Sequence, residues 1–255
     1  ALKEEEPEVF QSADCFLMVP DYFHFLLTGK RSNEYTNAST TELLKVESGQ
    51  WDEELLQRLG IPSRLFLEPS MPGAELGTFT AEVEREVGFS CRVVLPATHD
   101  TGSAVLAVPS EDEDFLFLSS GTWSLLGAER KKPECSEESR MANFTNEGGY
   151  EKRYRYLKNI MGLWMVQSVR KELKDVYGFG ELSRMAEEAS SFPSRLDVND
   201  NMFLAPESMT EAVKIYCRKT DQPVPETVGE LVSCIDQSLA ASYGESVREI
   251  EQITG

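Results

Sequence analysis

The chain has 255 residues, 40% of them hydrophobic and 27% charged, a globular balance with length enough for one large domain or two ordinary ones. The 44 Asp and Glu residues against 25 Lys and Arg leave a formal net charge of -19, and so acidic a surface repels phosphate backbones, which argues against nucleic acid as a partner. No run approaches the roughly 18 consecutive apolar residues that span a bilayer, and the opening ALKEEEPEVF is acidic where a signal peptide is basic and then apolar, so the expectation is a cytoplasmic protein with no membrane contact.

In chain order, the first third reads as helical with one strand. Pro20 stands as a first-turn proline ahead of Asp21–Leu27, and Gly29 ends that helix. A second helix runs from Trp51 to Leu59 and is stopped by Gly60 and Pro62. Cys91–Ala97 is a β-branched apolar run, followed at once by Thr98-His99-Asp100-Thr101-Gly102-Ser103 and a helix-compatible segment from Ala104 to Val108, so the order is strand, polar turn, helix. The acidic stretch Pro109–Asp114 reads as a domain boundary. Beyond it, Phe115–Leu118 and Trp123–Leu126 make a hairpin about Ser119-Ser120-Gly121-Thr122, and a second hairpin turns near Gly148-Gly149. Helices follow over Ile160–Leu173, Glu181–Ser190, Met209–Cys217 and Val228–Ile253, with Asp221–Glu226 as a loop.

The last helix carries the most regular pattern. Val228, Leu231, Val232, Ile235, Leu239, Tyr243, Val247 and Ile250 share one face, and Gly255 sits at a C-cap position. With no Met at position 1 and an apolar helix at the other end, the expectation is a piece of a longer protein.

Chemistry-bearing residues are few. The five cysteines, Cys15, Cys91, Cys135, Cys217 and Cys234, are scattered with no C-x-x-C pair, and the two histidines are His24 and His99, so no metal centre is expected from the chain's own side chains. Asp100 follows a strand and opens a helix, where a carboxylate points from the carboxyl end of a sheet toward a ligand; the plainer role is an N-cap. His99 beside it reads as a partly buried hydrogen-bonding residue or as part of the same site. Ser119-Ser120-Gly121-Thr122 offers hydroxyls and backbone N–H groups suited to a phosphate oxygen without a cationic side chain, or else is an ordinary polar turn. Asn159 as a helix cap and Gln167 eight residues later would bring two amides near one face.

THDTGSAV, LSSGTWSLLG, TNEGG and LKNIMGLWMVQ, preceded by PDYFHFLLTGK and EYTNASTTELL, resemble the FGGY carbohydrate kinases over nearly the whole chain. EYTNASTTEL and YRYLKNIMGLWMVQ are nearest to the branch of that family that acts on L-rhamnulose. The resemblance implies an actin-like pair of α/β domains of the ribonuclease-H type, present in part: residues 1–108 as the back of the N-terminal, sugar-binding domain and 109–255 as the front of the C-terminal, nucleotide-binding domain. It implies transfer of phosphate from MgATP to the 1-hydroxyl of a ketose, with Asp100 as catalytic base, His99, Asp100, Thr101 and Asn159 on the sugar, and Gly121, Thr122 and Gln167 on ATP. Mg²⁺ would arrive with the nucleotide. A kinase of L-fuculose or xylulose, or a sugar- or nucleotide-responsive binding module without catalysis, are the alternatives. The family's first phosphate hairpin, of Asp-x-Gly-x-x-Ser type, and its glycine-rich adenosine loop are not among these residues, so the chain by itself is expected to be inactive, with apolar surface uncovered beside Leu231, Ile235 and Leu239. The resemblance also raises a bond between Cys217 and Cys234, a loop closure of about 3 kcal/mol, whereas a reducing cytoplasm favours free thiols.

Overall fold

The computed structural model describes residues 2–110, 112 and 115–255. The greater part of the acidic boundary stretch, Glu111, Glu113 and Asp114, lies outside the described residues. The chain divides into two compact units, one of Ala1–Phe115, Ala128–Cys135 and Thr145–Tyr156, the other of Leu116–Gly127, Ser136–Phe144 and Leu157–Gly255.

The first unit opens with α1 (Leu2–Glu5), α2 (Pro7–Ser12) and α3 (Val19–Thr28). Pro20 lies in the first turn of α3, and Gly29 ends the helix in the left-handed conformation that suits glycine. β1 (Asn33–Glu34) runs directly into α4 (Tyr35–Ala38). α5 (Glu53–Leu59) begins one residue after its Asp52 cap, so the helix expected from Trp51 starts two residues later. β2 (Pro69–Ser70) pairs in parallel with β1, and β3 (Glu75–Thr78) pairs antiparallel with β4 (Arg92–Val94), with α6 (Ala81–Val87) between them. The expectation of one strand in this third is therefore wrong: among the described residues there are four, of two to four residues, too short to print an alternating pattern. α7 (Asp100–Leu106) follows β4 and begins four residues earlier than the segment read as helix-compatible.

The centre of this unit is polar. Asp21, Asn33, Glu34, Thr36 and Arg155 are each 0% exposed. Asn33 donates to the Phe16 carbonyl and accepts from the Leu67 amide, and Asp21 accepts from the Glu34 amide, while burial pushes the Asp21 carboxyl above the usual carboxylate range.

β5 (Leu116–Ser120), β6 (Trp123–Arg130), β8 (Tyr154–Met161) and β7 (Thr145–Gly148) stand in that order in a four-stranded sheet, with α8 (Glu137–Met141) between β6 and β7 in sequence. Both hairpin expectations hold as neighbouring strands. The bounds of β8 were not legible because Arg155, Lys158 and Asn159 interrupt its apolar residues, while burial of four successive residues from Tyr154 to Leu157 leaves no alternation.

In the second unit, α9 (Trp164–Glu172), α10 (Phe179–Glu188), α11 (Met209–Lys219) and α12 (Val228–Thr254) follow. α12 starts with a reciprocal cap between Thr227 and Glu230. Its face of Leu231, Ile235 and Leu239 is 4%, 0% and 3% exposed, and the helix packs on α10. The expected uncovered apolar surface at these residues is thus absent, and α10 approaches the helix so closely that a Cβ on Gly229 would lie 2.6 Å from the Met185 carbonyl oxygen. Cys217 on α11 and Cys234 on α12 are fully buried free thiols, and Cys234 Sγ donates to the Ser194 carbonyl at 3.3 Å. Among the described residues no helix is long and apolar enough to cross a membrane.

Candidate functional site

Glu34 organises the first half of the site. Its carboxylate is completely buried, and a buried carboxylate is tolerable only when its lone pairs are filled. It accepts from the Thr36 amide at 2.9 Å, the Asn37 amide at 3.2 Å, the Thr36 hydroxyl at 2.5 Å, the Thr98 amide at 3.0 Å and the Thr98 hydroxyl at 2.6 Å. The first two cap α4. The Thr98 bonds hold the residue immediately before His99, whose own amide donates to the Thr36 hydroxyl at 3.2 Å. The polar turn ahead of α7 is therefore fixed from a point 64 residues earlier. Glu34→Ala is expected to lower stability by roughly 3–5 kcal/mol, since it strands these buried donors, with Glu34→Gln milder because one carbonyl oxygen survives. Urea midpoints at unchanged m measure it.

His99 is the N-cap of α7 but makes no side-chain cap, and Asp100 is the first helical residue rather than the cap. The Asp100 side chain is 98% exposed, and its Oδ1 accepts from the Thr101 amide at 2.8 Å. Thr101 itself is buried. The His99 ring is half-buried, with Nδ1 2.8 Å from Arg155 Nη1 and 3.6 Å from Glu147 Oε2, and Nε2 3.9 Å from Asp100 Oδ1. Burial and the Arg155 guanidinium push its pKa below the ordinary imidazole value, against the opposing carboxylates of Glu147, Asp100 and Glu34. Arg155 in turn pairs with Glu147 at 3.1 Å and sends Nε and Nη2 to the Gly148 carbonyl. Gly148 has to be glycine, because a Cβ there would lie 2.5 Å from a Tyr35 ring carbon.

In the second unit, the Gly121 amide donates to the Trp123 carbonyl, so that N–H is spent inside the turn rather than offered outward as the sequence suggested. The Gly121 and Thr122 carbonyls accept from the Leu163 and Trp164 amides at 2.9 and 3.2 Å, tying the turn to the start of α9. This approach depends on Gly162, whose added Cβ would meet Gly121 O, Thr122 O and Trp123 C, each at 2.7 Å. An added Cβ on Gly121 meets only the Trp123 carbonyl oxygen at 3.5 Å, ordinary contact, so the chain's own packing does not demand glycine there. The exposed Thr122 hydroxyl stands 3.5 Å from Gln167 Oε1.

Thr122 and Gln167 are thus brought together, and so are His99, Asp100 and Thr101. Asn159 does not cap a helix: it is an exposed residue of β8, and the helix expected from Ile160 begins at Trp164. The helical spacing drawn between Asn159 and Gln167 therefore fails, because Gly162 turns the chain between a strand and a helix. Glu34, Glu147, Arg155 and Gly162 escaped sequence reading. Only Gly162 left a signal, as a lone glycine inside an apolar run.

The model of the FGGY family of carbohydrate kinases, N-terminal domain, matches residues 2–107, and that of the C-terminal domain matches 116–255. Among curated relatives, a rhamnulokinase of Oceanobacillus iheyensis is 47% identical over 99% of this chain and 53% of its own length. One of Halalkalibacterium halodurans is 49% identical over 99% and 54%, and one of Bacillus subtilis 41% over 99% and 52%. The chain spans about half the length of the curated relatives it matches. Among solved structures, xylulose kinase from Rhodospirillum rubrum is similar in fold at a TM-score of 0.73 and 17% identity, covering 99% of this chain and 51% of that one. Plasmodium falciparum glycerol kinase with ADP is similar at 0.69 and 17%, with the same coverage. With both domain models matched in order across the chain, this mixed α/β protein belongs to the FGGY family of carbohydrate kinases.

Proposed function

We propose that the chain supplies part of the sugar and nucleotide sites of a cytoplasmic, ATP-dependent kinase that phosphorylates the 1-hydroxyl of L-rhamnulose. The observation that carries this reading is identity of 41–49% to rhamnulokinases over 99% of the chain. Residues 1–108 are taken as N-terminal domain and 109–255 as C-terminal domain.

A sugar hydroxyl is far too weak an acid for a carboxylate, ordinarily of pKa about 3.9, to ionise in advance. The proton has to leave as the oxygen bonds to phosphorus, so the base needs placement above all. Asp100 meets that need, because its carboxylate is exposed at the head of α7 on a backbone anchored through Thr98. His99, Thr101 and Asn159 are assigned to the sugar. Thr122 and Gly121 are assigned to the nucleotide phosphates and Gln167 to the nucleotide; the exposed hydroxyl and amide side chains of that pair fit an anion without adding positive charge. MgATP supplies the phosphoryl group, with Mg²⁺ neutralising part of its charge near an acidic protein.

The test is ADP release with L-rhamnulose, L-fuculose and xylulose, measured on this chain and on the full-length protein. The full-length protein is expected to favour L-rhamnulose, and the chain alone to fall at least tenfold below it. Sugar binding by calorimetry without turnover would instead point to a binding module.

A further inference from the structure

We propose that Arg155 is a positioning residue that locks His99 as the neutral imidazole protonated on Nε2, so that the ring presents an N–H donor beside Asp100 and never a second base. The role at Asp100 rests on the kinase reading above; the locked ring does not.

An arginine carries five N–H donors, no acceptor, and no accessible neutral form. With Arg155 Nη1 2.8 Å from His99 Nδ1, the hydrogen between them belongs to arginine, and Nδ1 has to present its lone pair. A ring with bare Nδ1 that keeps one proton keeps it on Nε2. The guanidinium is itself held: Nε and Nη2 both donate to the Gly148 carbonyl, at 3.2 and 3.0 Å, and Nη1 also lies 3.1 Å from Glu147 Oε2. Its side chain is 1% exposed, so it cannot swing into water.

The charged groups facing the ring divide. Glu147 Oε2, 3.6 Å from Nδ1, favours a proton there, and Asp100, 3.9 Å from Nε2, favours a charged ring, as does Glu34. Burial and Arg155 oppose them and win, which leaves the ring neutral near pH 7. At 3.9 Å, Nε2 and Asp100 Oδ1 are too far apart to bond each other but near enough to share one hydroxyl oxygen, which would accept from His99 and donate to Asp100.

The chain contains two histidines, His24 and His99, so long-range ¹⁵N–¹H correlation on the histidine-labelled protein shows two rings, assigned with a His24→Gln variant. For His99 the expected spectrum has pyrrole-type Nε2 and pyridine-type Nδ1 at pH 7–8. A proton on Nδ1, or titration at or above about 6.5, overturns the proposal. Arg155→Met is expected to raise the pH at which His99 charges by roughly one unit or more, with Arg155→Lys intermediate; no shift in Arg155→Met also overturns it. Should Arg155→Met fail to fold, Glu147→Gln decides: the Nε2 proton is expected to stay, and a move to Nδ1 is a refutation. No turnover is involved, so a failed kinase assay and a failed spectrum are separate results.

Discussion

Asp100→Asn in the full-length protein is expected to lower kcat at least a hundredfold while sugar affinity, read by calorimetry, stays within a few fold, because loss of a general base costs about 10²–10⁴ in rate. The asparagine keeps the oxygen that accepts from the Thr101 amide. Since the side chain is 98% exposed, the fold does not depend on its charge, and a stability change cannot imitate the result. What the amide cannot do is take up the proton. A variant retaining more than about a tenth of the parent kcat would remove Asp100 from that role.

Gly162→Ala is the second large effect, and it acts through the backbone. The added methyl would meet three backbone atoms of residues 121–123 at 2.7 Å, and backbone has no rotamer with which to yield. Either the turn or the head of α9 has to shift, breaking the bonds from the Leu163 and Trp164 amides. We expect a loss of about 3 kcal/mol in stability. Nucleotide affinity should fall about a hundredfold, as Thr122 and Gln167 lose register. Gly180→Ala is the control. It lies within α10 with nothing within 4 Å of the new Cβ, and is expected to be neutral or to stabilise by about 0.5–1 kcal/mol. If the two variants behaved alike, the close approach would have no energetic consequence.

What could be read in the sequence was what is local. α12 was legible because its buried residues recur with the helical period over 27 residues, and α3 and α5 because Gly29 and Gly60 end them in left-handed conformations. The strand–turn–helix at His99-Asp100-Thr101 and the small polar turn at Gly121-Thr122 stood out for the same reason. β1 and β2, of two residues each, have no period to show. Glu34 and Arg155 are invisible for a different reason. Their partners at Thr98 and His99 are 64 and 56 residues away, and only folding makes a capping carboxylate and a strand arginine into supports for one turn. Asn159 was misplaced because the apolar run from Ile160 to Val166 crosses from β8 into α9, and its periodicity does not show where strand ends and helix begins.

The buried thiols of α11 and α12 carry a consequence for reactivity. Burial, with Cys217 alongside, pushes the Cys234 thiol up to about 12, and Cys217 is raised by burial as well. At neutral pH only about one Cys234 in 10⁵ is then a thiolate, the form that attacks an oxidant, a disulfide or an alkylating reagent. Adjacency alone therefore does not make the pair redox-active, because the reacting species is nearly absent while the helices are closed. Exposed Cys91 and Cys135 react from the folded chain, whereas Cys217 and Cys234 wait for an opening. Their rate of modification is a clock for the separation of α11 from α12, ticking at the frequency with which that part of the protein comes apart.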